Sequence, residues 1–260
     1  MLNRLAPLVF HEIARSVGLA DVASCRLVCR RIHSVFGTRG LLLLPLDLGI
    51  RIAPQSIFAQ PEKRFPTPTT DGDVNTVEFL RACKGVADII SLLGAPLVFV
   101  KADILGNVDK VSGACGSDKE KASSLLRLLD ADLTERKIVS VGAEGLLWLK
   151  RGLEFMLRFL ELLVEEAESG AAPNENVSAL LRQAYDEKLK RHHKRLCRTE
   201  MFALLCAAAP SRAELLKKVA PEASDVGFRK TLFDLRQYLM PLSKTVGVLN
   251  AAYENGGLEG

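Results

Sequence analysis

An all-α fold is what this chain of 260 residues predicts, and three observations predict it. Leucine and alanine dominate a 48% hydrophobic composition in which only 6% is aromatic, a balance that suits helices better than sheets. Apolar residues recur at three- and four-residue intervals through most of residues 74–249, the period of a helix with one buried face. No pair of alternating segments joined by a hairpin turn occurs in residues 74–260.

The elements follow in order. Over residues 2–37, Leu8, Val9, Ile13, Val17 and Leu19, then Val22, Leu27, Val28, Ile32 and Phe36, predict two or three short helices with a break near Gly18. A small N-terminal module over 1–45 is followed by a Pro/Thr-rich stretch over 46–73 that holds Pro54, Pro61, Pro66 and Pro68, which predicts a linker and the main domain boundary. The domain over 74–260 then predicts helices over 74–93, stopped by Gly94-Ala-Pro96, over 99–114 and over 117–132. The longest apolar pattern, 143–168, must be central. A loop at 170–174 precedes a long helix over 177–208 that Pro210 ends, a short one over 212–219 and a last one over 225–249.

Charge and cysteine usage narrow the function. The formal net charge of +4 lies in residues 1–60, which hold seven Arg, no Lys and three acids; the remainder is balanced. A broad basic field of the kind nucleic acids require is therefore not expected. The six cysteines form no Cys-x-x-Cys pair and no Cys/His group at zinc spacing, which predicts a reducing compartment and no metal. No apolar run approaches the roughly 18 residues of a membrane span, and the N-terminus lacks the order of a secretory signal. Its Arg-rich, amphipathic start is compatible with an organellar transit peptide, against which Glu12 and Asp21 argue. A cytoplasmic protein is expected. With no supported nucleophile–base pair, phosphate loop or metal cluster, no enzymatic chemistry and no cofactor is expected.

The polar residues that stand out lie on the apolar helices. In the second helix Asp103, Asn107 and Lys110 fall at i, i+4 and i+7, which projects all three heads from one face. The only tryptophan, Trp148, lies on the central helix. A carboxylate, an amide, an ammonium and a broad aromatic face suit a polyhydroxylated head group, although a solvated helix face and a core tryptophan explain the same residues more simply.

Three separated segments in one order carry a resemblance. Lys101-Ala-Asp-Ile-x-Gly-Asn-x-x-Lys110, then Leu147-Trp-Leu-Lys-Arg-Gly-Leu153, then Ala184-Tyr-x-x-x-Leu-Lys-x-x-His193 with Ala207-Ala-Ala-Pro210, resemble the glycolipid transfer protein family over roughly residues 74–255. The resemblance implies a two-layer, all-helical fold that holds one glycolipid, with sugar at the surface and hydrocarbon between the layers. It implies that Asp103 bonds the ceramide amide and a sugar hydroxyl, that Asn107 and Lys110 bond further hydroxyls, that Trp148 stacks beneath the first sugar and that His193 reaches the amide carbonyl. His192 is adjacent, and counting from Ala184-Tyr185 selects His193. Uncharged residues at 107 and 148 favour a neutral glycosphingolipid over ceramide-1-phosphate, because phosphate wants Arg or Lys. Where the family places an interfacial aromatic, this chain has Arg195 beside Lys194, which predicts salt-sensitive peripheral docking on anionic membranes.

Leu5-Ala-Pro-Leu-Val-Phe-His-Glu-Ile-Ala and Leu19-Ala-Asp-Val-Ala-Ser-Cys-Arg-Leu-Val-Cys-Arg-Arg-Ile32 resemble an F-box, with Ile32 where an aromatic is usual. That resemblance implies a ubiquitin ligase adaptor as partner. Two functions follow, a lipid carrier and an F-box adaptor whose lipid domain senses or recruits a client.

Overall fold

The computed structural model describes residues 56–94, 97–135, 140–169, 176–193, 209–220 and 224–256. The F-box-like module expected over 1–45 lies outside the described residues. Within them the chain is helical, with one isolated bridge between Asn176 and Ser211 and no strand.

Among the described residues eight α-helices follow one another: α1 (Thr76–Leu92), α2 (Val98–Cys115), α3 (Lys119–Ser123), α4 (Leu125–Glu135), α5 (Val141–Glu168), α6 (Ser178–Lys188), α7 (Arg212–Val219) and α8 (Asp225–Asn255). Most begin where the sequence places a cap. The side chain of Asn75 accepts the Glu78 N–H, Ser140 that of Ala143 and Ser224 that of Gly227, while Ser211 and Glu214 form a reciprocal capping box. Each satisfies amide donors that the first helical turn leaves open. The central position of α5 follows from its residues: Leu146, Leu149, Leu153, Met156, Phe159 and Leu160 are all buried. It packs against α2, α4, α6 and α8, and α1 packs against α2.

Three expectations are corrected. The helix predicted over 117–132 breaks at Ser124, which is extended. Its hydroxyl donates to the Asp73 carboxylate and accepts from Arg127 N–H, and Leu125 N–H donates to the Val74 carbonyl. A serine that caps a new helix and bonds a distant carboxylate outcompetes one more helical turn.

The helix predicted from 177 to 208 ends at Lys188. A 3-10 turn, Lys190–His192, follows, and His193 is extended at φ −94°, ψ 138°.

The third correction concerns residues 56–73 of the expected linker. The chain's second compact unit begins at Ser56. Two 3-10 turns, Ile57–Ala59 and Pro61–Lys63, form a strap that lies on α8 and α1. Ser56 donates to Asp234 at 2.7 Å, and Phe58 and Phe65 are buried against Tyr238 with ring centres 5.6 and 6.1 Å away. Prolines fit there because 3-10 turns and extended links need few amide donors. The same enclosure pushes the Tyr238 phenol and the Cys83 thiol well above their ordinary pKa, burial being the main cause at both.

Candidate functional site

The polar face of α2 forms one half of the site. Asp103 and Lys110 are exposed, as are Phe99, Ala102 and Gly106 along the same stripe. Asn107 differs from expectation: it is buried at 3% exposure instead of projecting beside the other two. Its amide nitrogen donates to the Asp103 carbonyl at 3.0 Å, and its amide oxygen accepts from Lys110 Nζ at 3.3 Å. Asn107 thus forms a polar floor that holds the ammonium in place. The Asp103 carboxylate meets no donor among the described residues, so its lone pairs face outward.

Gly145 sets how close the second half comes. A Cβ on it would stand 3.0 Å from Lys110 Cβ and 3.2 Å from the Asn107 carbonyl oxygen, closer than two such atoms pack comfortably. The missing side chain lets α5 settle onto α2 at the residues that bear the polar heads. Trp148 lies one turn further along α5, half-buried.

The indole is fixed by two neighbours. The Arg151 guanidinium lies 5.0 Å from its ring centre, a cation–π distance, and the His193 ring stacks at 6.0 Å and 28°. His193 is held by Tyr185, whose hydroxyl lies 3.0 Å from Nδ1. In a continuous helix residues 185 and 193 stand about 12 Å apart along the axis. Unwinding after Lys188 is what brings them into contact and puts the imidazole at Trp148.

Beneath this surface the base of α5 is braced. Lys150, 1% exposed, pairs with Glu154 at 3.6 Å and lies 5.9 Å from the Tyr253 ring centre, while Tyr253 donates to the Ala143 carbonyl at 2.8 Å. The last turns of α8 are thereby tied to the first turn of α5.

Asp103, Asn107 and Lys110 therefore form one cluster and Trp148 and His193 another, joined through the Gly145 crossing. Lys194 and Arg195, the expected docking residues, lie outside the described residues. Sequence reasoning overlooked Arg151 and Tyr185 as parts of the site. Arg151 was detectable from its i+3 spacing to Trp148, whereas the Tyr185 contact depends on a break that the local helical pattern does not announce. Among the described residues no group of three or more His, Cys, Asp or Glu could hold a metal ion.

Behind the site lies an apolar cavity of about 50 Å³ between α1, α5, α7, α8 and the strap, lined by Phe58, Leu93, Phe159, Leu163, Leu215 and Leu235 among others. No helix of the described residues is long and apolar enough to cross a membrane.

Comparison with known proteins agrees with this arrangement. The human pleckstrin homology domain-containing family A member 8 is 32% identical over 202 residues, covering 73% of this chain and 36% of its own length. The chain thus spans little more than a third of that curated relative. Zebrafish (Danio rerio) glycolipid transfer protein is 28% identical over 196 residues, covering 74% of this chain and 92% of its own. A solved structure of FAPP2, which selects simple glycosphingolipids using the GLTP fold, superposes with a TM-score of 0.67 at 29% identity, covering 79% of this chain and 98% of that one. The described residues are helical and share the GLTP fold of that solved structure. The family model for glycolipid transfer protein matches residues 74–221, a span that holds all five head-group candidates and the helices that position them, and the chain belongs to the glycolipid transfer protein family.

Proposed function

We propose that this chain binds one sphingolipid, a neutral glycosphingolipid, and carries it between membranes without chemical conversion. The observation that carries the reading is the pairing of an outward-facing Asp103 and a pre-set Asn107–Lys110 hydrogen bond with a half-buried indole and a latched histidine. Asp103 supplies acceptors for the ceramide amide and a sugar hydroxyl, Lys110, seated on Asn107, supplies donors, the half-buried Trp148 packs against the sugar ring, and His193 serves the amide carbonyl. An amide at the mouth of an apolar slot needs both its donor and its acceptor satisfied, and a carboxylate with an imidazole does that. Asn107 and Trp148 are uncharged, which supports a sugar over a phosphate.

The benefit is kinetic. A two-chain lipid leaving a bilayer exposes some thirty methylenes at about 0.8 kcal/mol each, and a protein that encloses them removes most of that barrier. Transfer then runs down the concentration gradient with no nucleotide or metal.

Contact with the membrane follows from the same face. Phe99, 71% exposed, stands one turn before Asp103 beside the exposed Val98, an apolar tip suited to dip into the interface while the polar heads meet the lipid's head group. Lys194 and Arg195 would add attraction to anionic lipid.

The test is transfer of fluorescent galactosylceramide between vesicles by wild type, Trp148→Ala and Asp103→Val, with ceramide-1-phosphate as competitor. Loss of one charge-assisted hydrogen bond costs about 1.5–3 kcal/mol, so Asp103→Val should slow transfer at least tenfold, and Trp148→Ala comparably. Transfer of the phosphate lipid alone would overturn the head-group assignment, and transfer of neither would overturn the carrier reading.

A further inference from the structure

The strap Ser56–Phe65 precedes the matched family region and yet forms part of the apolar cavity wall. Phe58 enters the cavity lining from the first 3-10 turn and is 3% exposed. Its position is over-determined: Ser56, two residues earlier, donates to the buried Asp234 of α8, and the Phe58 ring packs at 5.6 Å on Tyr238 of the same helix. The following turn is seated on α1 at Gly85, where a Cβ would fall 2.9 Å from Lys63 Cβ and 3.0 Å from its Cα. Nothing larger than glycine lets the strap lie so close.

The place of this ring along the molecule has a consequence. The cavity touches α5 at Phe159, Leu160 and Leu163, about 17–23 Å along the helix from Trp148. An extended hydrocarbon advances about 1.25 Å per carbon, from bond lengths near 1.5 Å. A chain running from the head-group site along α5 therefore arrives at the cavity after about 13–18 carbons.

We propose that Phe58, held by the strap, is the end wall of the hydrocarbon slot and sets the chain length that the protein carries. The proposal takes its ligand from the sphingolipid-carrier reading above. Phe58→Leu and Phe58→Ala open room for additional methylenes, Phe58→Trp removes it, and Gly85→Ala lifts the strap and acts like an opening substitution without touching the cavity lining. Each methylene admitted or refused by a hydrophobic pocket changes selectivity severalfold or more.

The experiment has two readouts on the full chain. One is vesicle-to-vesicle transfer of galactosylceramides bearing eight-, sixteen- and twenty-four-carbon acyl chains. The other, independent of the sugar, is displacement of an apolar fluorescent dye by saturated fatty acids of the same lengths. The expected result is a long-to-short preference ratio raised about tenfold in Phe58→Leu and Gly85→Ala and lowered in Phe58→Trp, by both readouts. An unchanged ratio in these variants, with melting curves still cooperative, overturns the proposal. If wild type transfers no galactosylceramide while the fatty-acid profile still moves with residue 58, the carrier reading fails and the end wall stands. Phe58→Ala extends the series if it folds; the leucine, tryptophan and Gly85 variants decide the matter without it.

Discussion

Replacing Gly145 by alanine adds one methyl group at the crossing that sets the distance between the two halves of the site. The new carbon would sit 3.0 Å from Lys110 Cβ, 3.2 Å from the Asn107 carbonyl oxygen and 3.4 Å from Val111 Cγ2. Comfortable contact lies near 3.5–4.0 Å, so α2 and α5 must give by a few tenths of an ångström. Overpacking of this kind costs about 1–3 kcal/mol, offset by about 1 kcal/mol of helix propensity gained on leaving glycine. Net stability should fall by up to about 2 kcal/mol. The Lys110–Asn107 hydrogen bond, already 3.3 Å long, is the first casualty, and a site loosened at this crossing loses preorganisation. Gly152 on the same helix is the internal control, since a Cβ there meets nothing within 4 Å. Gly152→Ala should raise the melting temperature by about 2–4 °C and leave transfer intact. Gly145→Ala should lower both, with galactosylceramide transfer reduced at least tenfold. Thermal melts by circular dichroism beside vesicle transfer decide it. A Gly145→Ala protein that melts higher than wild type and transfers at the wild-type rate would refute the close-crossing argument.

Tyr185→Phe removes the hydroxyl that holds His193 and should cut transfer severalfold with little change in melting; because Trp148 is the only tryptophan and stacks on His193, its emission should shift in the free protein too. An unaltered spectrum would mean the latch does not position the imidazole. Acid should weaken the fold through Glu187 and Glu214. Glu187 is held below the usual carboxylate range first by its hydrogen bond from Arg158, and Glu214 by that from the Ser211 backbone. A depressed folded pKa gives stability that is full above about 4.3 and is lost as pH falls through the folded value. In Glu187→Gln the acid limb of the stability–pH curve should therefore be shallower, as followed by urea midpoints between neutral and acid pH, and an identical limb would exclude the Arg158 clasp as its source.

The parts of this molecule that follow from local pattern were legible in its sequence, and those that follow from distant partners were not. Asp103 and Lys110 appear on one exposed helix face because a 3.6-residue period decides it. Asn107 shares that spacing and still turns inward, because Gly145 on another helix lets α5 come close enough to cover it. The caps at Asn75, Ser140, Ser211 and Ser224 could be read in advance, since a cap is a matter of three residues. The strap could not. Pro54, Pro61, Pro66 and Pro68 describe a linker by every local criterion, and what makes residues 56–65 part of the core is Asp234 and Tyr238, some 180 positions away. The unwinding after Lys188 belongs with the strap, since the Tyr185–His193 contact that accompanies it is formed only once the helix has stopped.

The two ends of the site are prepared to different degrees, and on the carrier reading proposed above that difference dictates how the labour is divided. At the polar end the Asn107–Lys110 and Tyr185–His193 contacts are already made, so a head group meets donors and acceptors that need little rearrangement. At the apolar end the cavity is about 50 Å³, small beside the roughly thirty methylenes of a two-chain lipid. On that reading hydrocarbon enters by separating α1, α7 and α8 from α5, and each methylene that follows the first gains about 0.8 kcal/mol against that separation. Such a slot closes behind a departing chain and exposes little apolar wall to water in the empty state. Affinity then scales with hydrocarbon enclosed, selection among lipids of equal chain length falls to the prebuilt polar end, and a substitution at Asp103 should alter which lipid is carried without altering how its transfer depends on chain length.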